Sequence, residues 1–302
     1  MRRILFITST RIGDAVISTG VLKALVDQNP DATFTIVCGP LAAPLFAAVP
    51  RLDRVIPFRK RRFDLHWFDL WRDVRGTTWD TVIDIRNSFL GFFLKARVRR
   101  VVGRMDQRPR VVSLPSVIGH AGPLDPHVYV DARHRDLAAR IVPDGAPVLA
   151  LAPVASLPEK TWPPQRFAAL MRLLLGSGGP CEGWRVAAFG GPGDEASAEQ
   201  VLAAVPAERR IKLVAEPDLL TVHASLARCR AFVGNDSGLS HLASAAGLPA
   251  LSLFGATDAE RYAPWGGMAV RAPGGDLAAL APEAVAEAFK SLLARGFERQ
   301  RG

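Results

Sequence analysis

Short apolar runs alternate with longer stretches of helical periodicity along the chain. Such runs predict buried strands, and apolar residues spaced three or four apart predict amphipathic helices. In the first half, strands are predicted at residues 3–8, 33–38, 55–58 and 81–85, and helices at 12–28 and 42–49. A strand, a helix and a strand in succession predict parallel pairing through a right-handed crossover. The first turn lacks the GxGxxG fingerprint of dinucleotide-binding proteins.

The pattern restarts near residues 143–147. Further strands are predicted at 148–152, 186–189, 211–214, 231–233 and 251–254, and a final amphipathic helix at 282–295. We therefore expect an α/β protein with two doubly wound domains, residues 1–143 and 144–281. Such domains bind ligands at the carboxyl ends of their strands, so two facing domains are expected to share a cleft.

Composition is typical of a folded protein in a reducing compartment. Of 302 residues, 49% are hydrophobic and 22% are charged, which excludes wholesale disorder. Cys38, Cys181 and Cys229 have no metal-ligand spacing and are expected to be small buried thiols. No signal peptide and no apolar stretch long enough to span a bilayer is evident, so we expect a soluble cytoplasmic protein.

Net charge favours anionic partners. The formal net charge is +9, which suits nucleic acid, anionic lipid or phosphorylated glycans. Residues 86–110 hold eight basic residues against one acidic residue, interleaved with phenylalanine and leucine. This segment is interpreted either as a solvated basic face over a core helix or as an anion-binding patch beside a membrane surface.

Residues 234–255, GNDSGLSHLASAAGLPALSLFG, predict a strand end, a tight turn, a short helix and a second strand. A helix N-terminus attracts phosphate through its unpaired N–H groups and partial positive charge. Gly238 permits close approach, Ser237 adds a hydroxyl, and His241 lies on the same helix face. The alternative is a helix capped by Asp236 or Ser237, with a histidine that serves packing only.

Four motifs occur in a characteristic order: RIGDAVIST, PVASLPEKTWP, FGGPGDE and GNDSGLSHLASAAGLPALSLFGATDAERYAPWG. Over essentially the whole chain, this order resembles glycosyltransferase family 9, the ADP-heptose lipopolysaccharide heptosyltransferases. The resemblance implies a GT-B fold of two Rossmann-like domains. It places the acceptor on the N-terminal domain and the donor on the C-terminal domain, with helix 282–302 packing back on the N-terminal one. It also implies an inverting, metal-independent enzyme without a cofactor.

The resemblance assigns roles to individual residues. Asp14 matches the proposed catalytic base, although a helix N-cap is the structural alternative. Lys160 matches a lysine that contacts donor phosphate and is assigned to catalysis, where it would neutralise charge on the leaving diphosphate, although a surface lysine is the structural alternative. Donor binding is assigned to Ser156, Glu195, Asp236, Ser237, Gly238 and His241. Candidate acceptor-binding residues are Arg11, Arg59, Lys60, Arg61, Arg62, Arg97, Arg100 and Arg104.

The expected function is therefore transfer of heptose from ADP-heptose to the anionic inner core of lipopolysaccharide, at the inner face of the inner membrane. One alternative keeps the chemistry with another nucleotide-sugar donor, or with an O-antigen or capsule acceptor. A second is a non-enzymatic, basic nucleotide- or nucleic-acid-binding protein. No nucleic acid is expected as a partner, because the aromatic residues follow no known nucleic-acid-binding module.

Overall fold

The computed structural model describes residues 2–59, 65–88, 90–103, 108–213 and 218–299. The chain divides into two compact units, Met1–Val130 and Asp131–Gly302. Within the described residues, no helix combines the length and the apolar character needed to cross a bilayer.

The first unit is built on a five-stranded parallel sheet. Its strands are β1 (Arg2–Ile7), β2 (Ala32–Cys38), β3 (Leu52–Pro57), β4 (Trp79–Asp84) and β5 (Ala96–Val101), in the order β3-β2-β1-β4-β5. Its helices are α1 (Ile12–Gln28), α2 (Leu65–Val74) and the short α3 (Arg110–Ser113). The strand order reverses between β1 and β4, and such switch points are where open α/β sheets bind ligands.

Packing in the first unit follows the alternation of side chains along β1. Leu5 and Ile7 share a buried cluster with Leu70 and Val74 of α2 and with Leu90. Leu90 begins a 3-10 helix, Leu90–Phe93, that lies beside α2. The predicted helix at 42–49 is reduced to a 3-10 helix, Ala43–Phe46, with Pro44 in its first turn.

The second unit is built on a six-stranded parallel sheet in the order β11-β10-β9-β6-β7-β8. Its strands are β6 (Val148–Ala152), β7 (Arg185–Phe189), β8 (Arg210–Leu213), β9 (Ala231–Asn235), β10 (Ala250–Phe254) and β11 (Met268–Arg271). Its helices are α4 (Ala132–Ile141), α5 (Pro164–Leu175), α6 (Glu195–Leu202), α7 (Leu219–Leu226), α8 (Gly238–Ala245), α9 (Ala259–Tyr262) and α10 (Pro282–Arg299). Its switch point lies between β9 and β6.

The compact units divide at a different place from the predicted domains. Asp131 caps α4, which packs against α7, and the side chain of Arg228 donates to the carbonyl of Val142 and to Asp144. The segment before residue 143 therefore belongs to the second unit. The two Arg228 hydrogen bonds join residues 86 and 84 positions apart, so local sequence did not reveal them.

The buried face of the final helix packs within the second unit. Val285 and Phe289 of α10 are fully buried in the cluster that contains Phe167 of α5 and Leu251 of β10. The buried face of α10 thus belongs to the core of the second unit. The amphipathic pattern predicted a helix at this place, but it did not specify which sheet the helix covers.

Candidate functional site

In the second unit, the turn between β9 and α8 presents an uncapped helix N-terminus. Ser237 is the N-cap residue, with extended backbone angles (φ −151°, ψ 173°), but its side chain makes no capping hydrogen bond. Its Oγ is buried and has no hydrogen-bond partner within the described residues. The first N–H groups of a helix lack intrahelical partners. The turn therefore combines free N–H groups with a spare hydroxyl, which suits a phosphate oxygen.

Lys160 and Asp236 come together beside this turn. Lys160 ends a short 3-10 helix, Pro158–Lys160, and its Nζ lies 2.7 Å from Oδ2 of Asp236. Their side chains are 29% and 10% exposed. A partly buried charge requires an opposite charge nearby, and each of these residues supplies it to the other. The structure thus joins two residues that the sequence assigned separately to catalysis and donor binding.

Asn235, which the sequence did not single out, holds the loop that carries Lys160. Its side chain is fully buried at the end of β9. Its Oδ1 accepts the Trp162 N–H at 3.0 Å, and its Nδ2 donates to the Pro153 carbonyl at 2.8 Å. Both ends of the loop 153–162 are thereby tied to the strand that leads into Ser237. The only signal in the sequence was a polar residue closing a buried strand.

The remaining predicted donor residues lie on the same sheet edge. Ser156 follows β6 and is exposed, and Glu195 follows β7 at the start of α6. His241 is buried on α8, and Gly238 is the first residue of that helix. Glu195 accepts the Gly193 N–H at 2.9 Å, so part of its hydrogen-bonding capacity shapes its own loop. Strands β6, β7 and β9 run parallel, so their carboxyl ends form one edge.

In the first unit, Asp14 lies in the first turn of α1, just after β1. Its Oδ1 is 3.0 Å from Nη1 of Arg110, and the two side chains are 20% and 15% exposed. Ser9 Oγ donates weakly to its Oδ2 at 3.5 Å. The N-cap of α1 is Arg11, so Asp14 is not the capping residue that the structural alternative required. Its carboxylate is held by an arginine that is 96 positions away in the chain.

A second arginine missed by the sequence assignments lies at the end of β4. The guanidinium of Arg86 lies 5.4 Å from the Phe58 ring and 5.8 Å from the Trp67 ring. Burial lowers the pKa of Arg86, and the nearby carboxylates Asp84 and Asp14 oppose this effect. The Nε atoms of Arg86 and Arg110 are buried without a hydrogen-bond partner among the described residues. The switch point between β1 and β4 therefore has unused cationic donors around Asp14.

Asp84 anchors the turn that carries Arg86. Its side chain is fully buried and accepts the Arg86 N–H, the Ser88 N–H and the Ser88 hydroxyl at 2.6–2.8 Å. Burial raises the pKa of Asp84, and these hydrogen bonds partly oppose the rise. Asn87, within the turn, adopts a left-handed conformation with φ 54°. Asp84 thus fixes the backbone from which Arg86 extends.

The predicted acceptor residues are scattered. Arg11, Arg59 and Arg100 are exposed. Arg97 lies 3.6 Å from Asp80, near the amino ends of β4 and β5, so the structure does not bring it to the carboxyl edge where Asp14 lies. Lys60, Arg61, Arg62 and Arg104 fall outside the described residues.

Metal-binding and cysteine chemistry have little support in the described part of the chain. It contains no group of three histidine, cysteine or acidic side chains arranged to hold a metal ion. Cys38, Cys181 and Cys229 are free thiols, and burial raises the pKa of each to about 12. A thiol with so high a pKa is a poor nucleophile at neutral pH.

Comparison with known proteins identifies a family that agrees with the resemblance found in the sequence motifs. A sequence model of glycosyltransferase family 9 (heptosyltransferase) matches residues 117–272. Lipooligosaccharide heptosyltransferase 2 of Haemophilus influenzae is 27% identical over 301 residues, covering 86% of this chain and 85% of that protein.

Two solved structures resemble the whole chain in fold. The Escherichia coli ADP-heptose lipopolysaccharide heptosyltransferase II superposes with a TM-score of 0.75 at 23% identity, covering 98% of this chain and 99% of that one. A family 9 glycosyltransferase from Veillonella parvula superposes with a TM-score of 0.79 at 20% identity, with 97% of both chains covered. Together with the two parallel sheets, these similarities confirm the predicted GT-B fold class.

Proposed function

Because this chain belongs to glycosyltransferase family 9, we propose that it transfers heptose from ADP-heptose to the inner core of lipopolysaccharide. The observation that carries the proposal is the group of Lys160, Asp236 and the uncapped Ser237 turn on one sheet edge. The relatives named above are heptosyltransferases, and one is described as an ADP-heptose enzyme. The sequence motifs that carry the resemblance coincide with these residues.

On the donor side, the diphosphate of ADP-heptose binds to positively polarised and positively charged groups of the second unit. The N–H groups at the start of α8 and the Ser237 hydroxyl bind phosphate oxygens, and Lys160 neutralises the charge that grows on the leaving ADP. Asp236 orients Lys160 through the 2.7 Å contact and is available to accept from sugar hydroxyls. Ser156, Glu195 and His241 complete the donor site along the same edge.

On the acceptor side, Asp14 serves as the general base. It takes the proton of the acceptor hydroxyl as that oxygen attacks the anomeric carbon of heptose. The bond from that carbon to the diphosphate oxygen breaks, ADP departs with the bonding electrons, and the configuration inverts. Arg110 fixes the direction of the Asp14 carboxylate at 3.0 Å. Proton transfer requires a base within hydrogen-bond reach of the hydroxyl, which is the role given to Asp14.

The acceptor is anionic and lipid-linked in this proposal. Carboxylates and phosphates of the inner core are matched by Arg86 and Arg110, whose buried Nε donors are unused among the described residues. We place the protein in the cytoplasm, in peripheral contact with the inner face of the inner membrane. No bound cofactor takes part, since ADP-heptose is a substrate.

A transfer assay with mass-spectrometric detection tests the function. Purified protein is offered ADP-heptose, UDP-sugars or GDP-sugars together with inner-core lipopolysaccharide acceptors. We expect the acceptor to gain the mass of one heptose when the donor is ADP-heptose, and to gain no mass with the other donors. Transfer from a UDP- or GDP-sugar, or onto an O-antigen or capsule acceptor instead, would replace the proposed substrates. No transfer combined with tight, salt-sensitive binding of duplex nucleic acid would favour a non-enzymatic role.

The variant Asp14→Asn tests the base. The amide keeps the shape of the side chain but cannot take a proton, so kcat is expected to fall by about 10²-fold or more. Affinity for ADP, measured by calorimetry, should stay within about twofold, because the base contacts the acceptor rather than the donor. The matched control is Asp27→Asn in the last turn of the same helix, where Asp27 pairs with Lys23 in an exposed contact. Equal turnover in the two variants would remove Asp14 from the mechanism.

A further inference from the structure

The outward side of α2 carries exposed apolar residues beside its charged ones. Leu70 and Val74 face the core of the first unit and are buried. On the opposite side, Leu65 and Phe68 are 49% and 58% exposed. Leu65, Phe68 and Trp71 follow at intervals of three residues, so they lie along one stripe of the helix. A surface helix is ordinarily polar on the side away from the core, so this stripe is apolar where solvation alone would favour polar residues.

The neighbouring 3-10 helix extends this stripe into a patch. Phe92 and Phe93 are 64% and 71% exposed. The Trp71 Nε1 donates to the Phe93 carbonyl at 3.2 Å, and the rings of Phe68 and Trp71 are 5.7 Å apart. We call Phe68, Trp71, Phe92 and Phe93 the aromatic face. Phe68, Phe92 and Phe93 are exposed, whereas Trp71 is partly buried and packs against the core cluster beneath them. Grouped exposed aromatic residues mark an interaction site more often than isolated ones do.

Arginines border the aromatic face. The Arg75 guanidinium lies 4.8 Å from the centre of the Trp71 ring. Arg99 donates to the carbonyls of Gly91, Leu94 and Ala96, so it holds the 3-10 helix in place and keeps a positive charge beside it. Residues 59–110 contain 14 basic and six acidic residues, an excess of eight out of the +9 net charge of the chain. The aromatic face thus lies within the segment that carries nearly all of the net positive charge.

We propose that the aromatic face is a membrane-docking surface that inserts its phenylalanines at the interface of an anionic lipid bilayer. Aromatic rings enter the boundary between headgroups and acyl chains, and the surrounding arginines attract anionic headgroups. Each basic residue near an anionic surface adds to the attraction, and the effect weakens with salt. The excess of basic residues favours an anionic lipid surface over a neutral partner that would bury only the rings.

Helix α2 links the aromatic face to the candidate acceptor edge of the same unit. Trp67, adjacent to Phe68 in α2, lies against the Arg86 guanidinium. Burial lowers the pKa of Arg86, and the negative charge of Asp14 in turn opposes this effect. Docking would therefore hold this edge near the lipid surface where a lipid-linked acceptor is anchored. The benefit to catalysis rests on the proposed function, but binding to lipid does not.

The test is co-sedimentation of the full-length protein with vesicles of phosphatidylglycerol and phosphatidylethanolamine, compared with pure phosphatidylcholine. We expect wild type to bind the anionic vesicles, to bind phosphatidylcholine weakly, and to be released by salt. The double variant Phe92→Ser, Phe93→Ser should lower the partition coefficient by about tenfold or more, because two exposed rings no longer enter the interface. The matched control is Leu173→Ser, an exposed apolar residue of α5 in the second unit, and its partition should equal that of wild type.

Three results would overturn the docking proposal: no binding of wild type to anionic vesicles, equal binding of the double variant, or equal binding to neutral vesicles. Sedimentation velocity without lipid is a fourth measurement. If the wild type forms a dimer that the double variant does not form, the aromatic face is a protein interface instead. Heptose transfer to a delipidated, water-soluble acceptor is measured in parallel. Transfer without vesicle binding refutes docking alone, and vesicle binding without transfer refutes the proposed function alone.

Discussion

The two charged residues assigned to catalysis are each held by an opposite charge. Lys160 pairs with Asp236 in the second unit, and Asp14 pairs with Arg110 in the first. The charges are partly buried, and a buried charge without a partner is costly. Each ion pair also fixes the orientation of the functional side chain, because the partner restricts its rotamers. A donor phosphate that binds Lys160 must compete with Asp236 for the ammonium group.

Replacing Lys160 by alanine is expected to slow transfer and weaken donor binding. The variant removes the cation assigned to the leaving diphosphate, and loss of one such stabilising group lowers kcat by about 10²-fold. Steady-state kinetics with varied ADP-heptose measures both effects. The control is Lys290→Ala, an exposed lysine on α10. Kinetics unchanged from wild type would exclude Lys160 from the site.

The unit of β9, turn and α8 depends on close backbone packing. Gly234 is the penultimate residue of β9, and an added Cβ there would approach the Ala152 carbonyl to 2.7 Å and the Phe232 ring to 2.9 Å. A side chain at this position must push β9 away from β6. The next residue is Asn235, which ties the loop 153–162 to β9, so a shift of the strand also moves Lys160.

Gly234→Ala is therefore expected to reduce the free energy of unfolding by about 1–3 kcal/mol, the usual cost of overpacking a core. Chemical denaturation measures this change. Gly76→Ala is the matched control, because a Cβ there meets no atom within 4 Å and its φ is not left-handed. If the two variants unfold at the same denaturant concentration, the close approach of β9 and β6 is not a constraint on stability.

At the scale of the whole molecule, charge and chemistry are divided between the two units. The basic excess and Asp14 belong to the first unit, and the helix N-terminus with Lys160 belongs to the second. The stabilisation of a leaving diphosphate needs positive charge. In the proposed mechanism, this charge comes from Lys160 and from the start of α8.

Chelation of metal ions tests whether these protein groups stabilise the leaving diphosphate without a metal ion. We expect dialysis against EDTA to leave the rate of heptose transfer unchanged, because protein cations take the place that a divalent metal ion holds in metal-dependent transferases. The rate is measured before dialysis, after it, and after addition of Mg²⁺ or Mn²⁺. A loss of activity that either ion restores would contradict the assignment of this role to Lys160.

Elements with strong local patterns could be predicted from the sequence, and two edge strands could not. Strand β5 has the sequence ARVRRV and is exposed along most of its length, so it lacks the alternation that marks a half-buried strand. Strand β11 is also at a sheet edge and only partly buried. At such positions the pairing partner, rather than the hydrophobic pattern, determines the strand.

The sequence by itself determined the buried strands of both sheets, the turn and helix that follow Gly234, and the identity of Asp14 and Lys160 as candidates. These features are local, because hydrophobic periodicity and the residue preferences of turns depend on only a few neighbouring residues. The tertiary structure alone decided that Arg110 holds Asp14, that Asn235 holds the Lys160 loop, and that α10 covers the second sheet. Parallel strands bring distant segments to one edge, so partners 73 to 96 positions apart leave no mark in any local pattern.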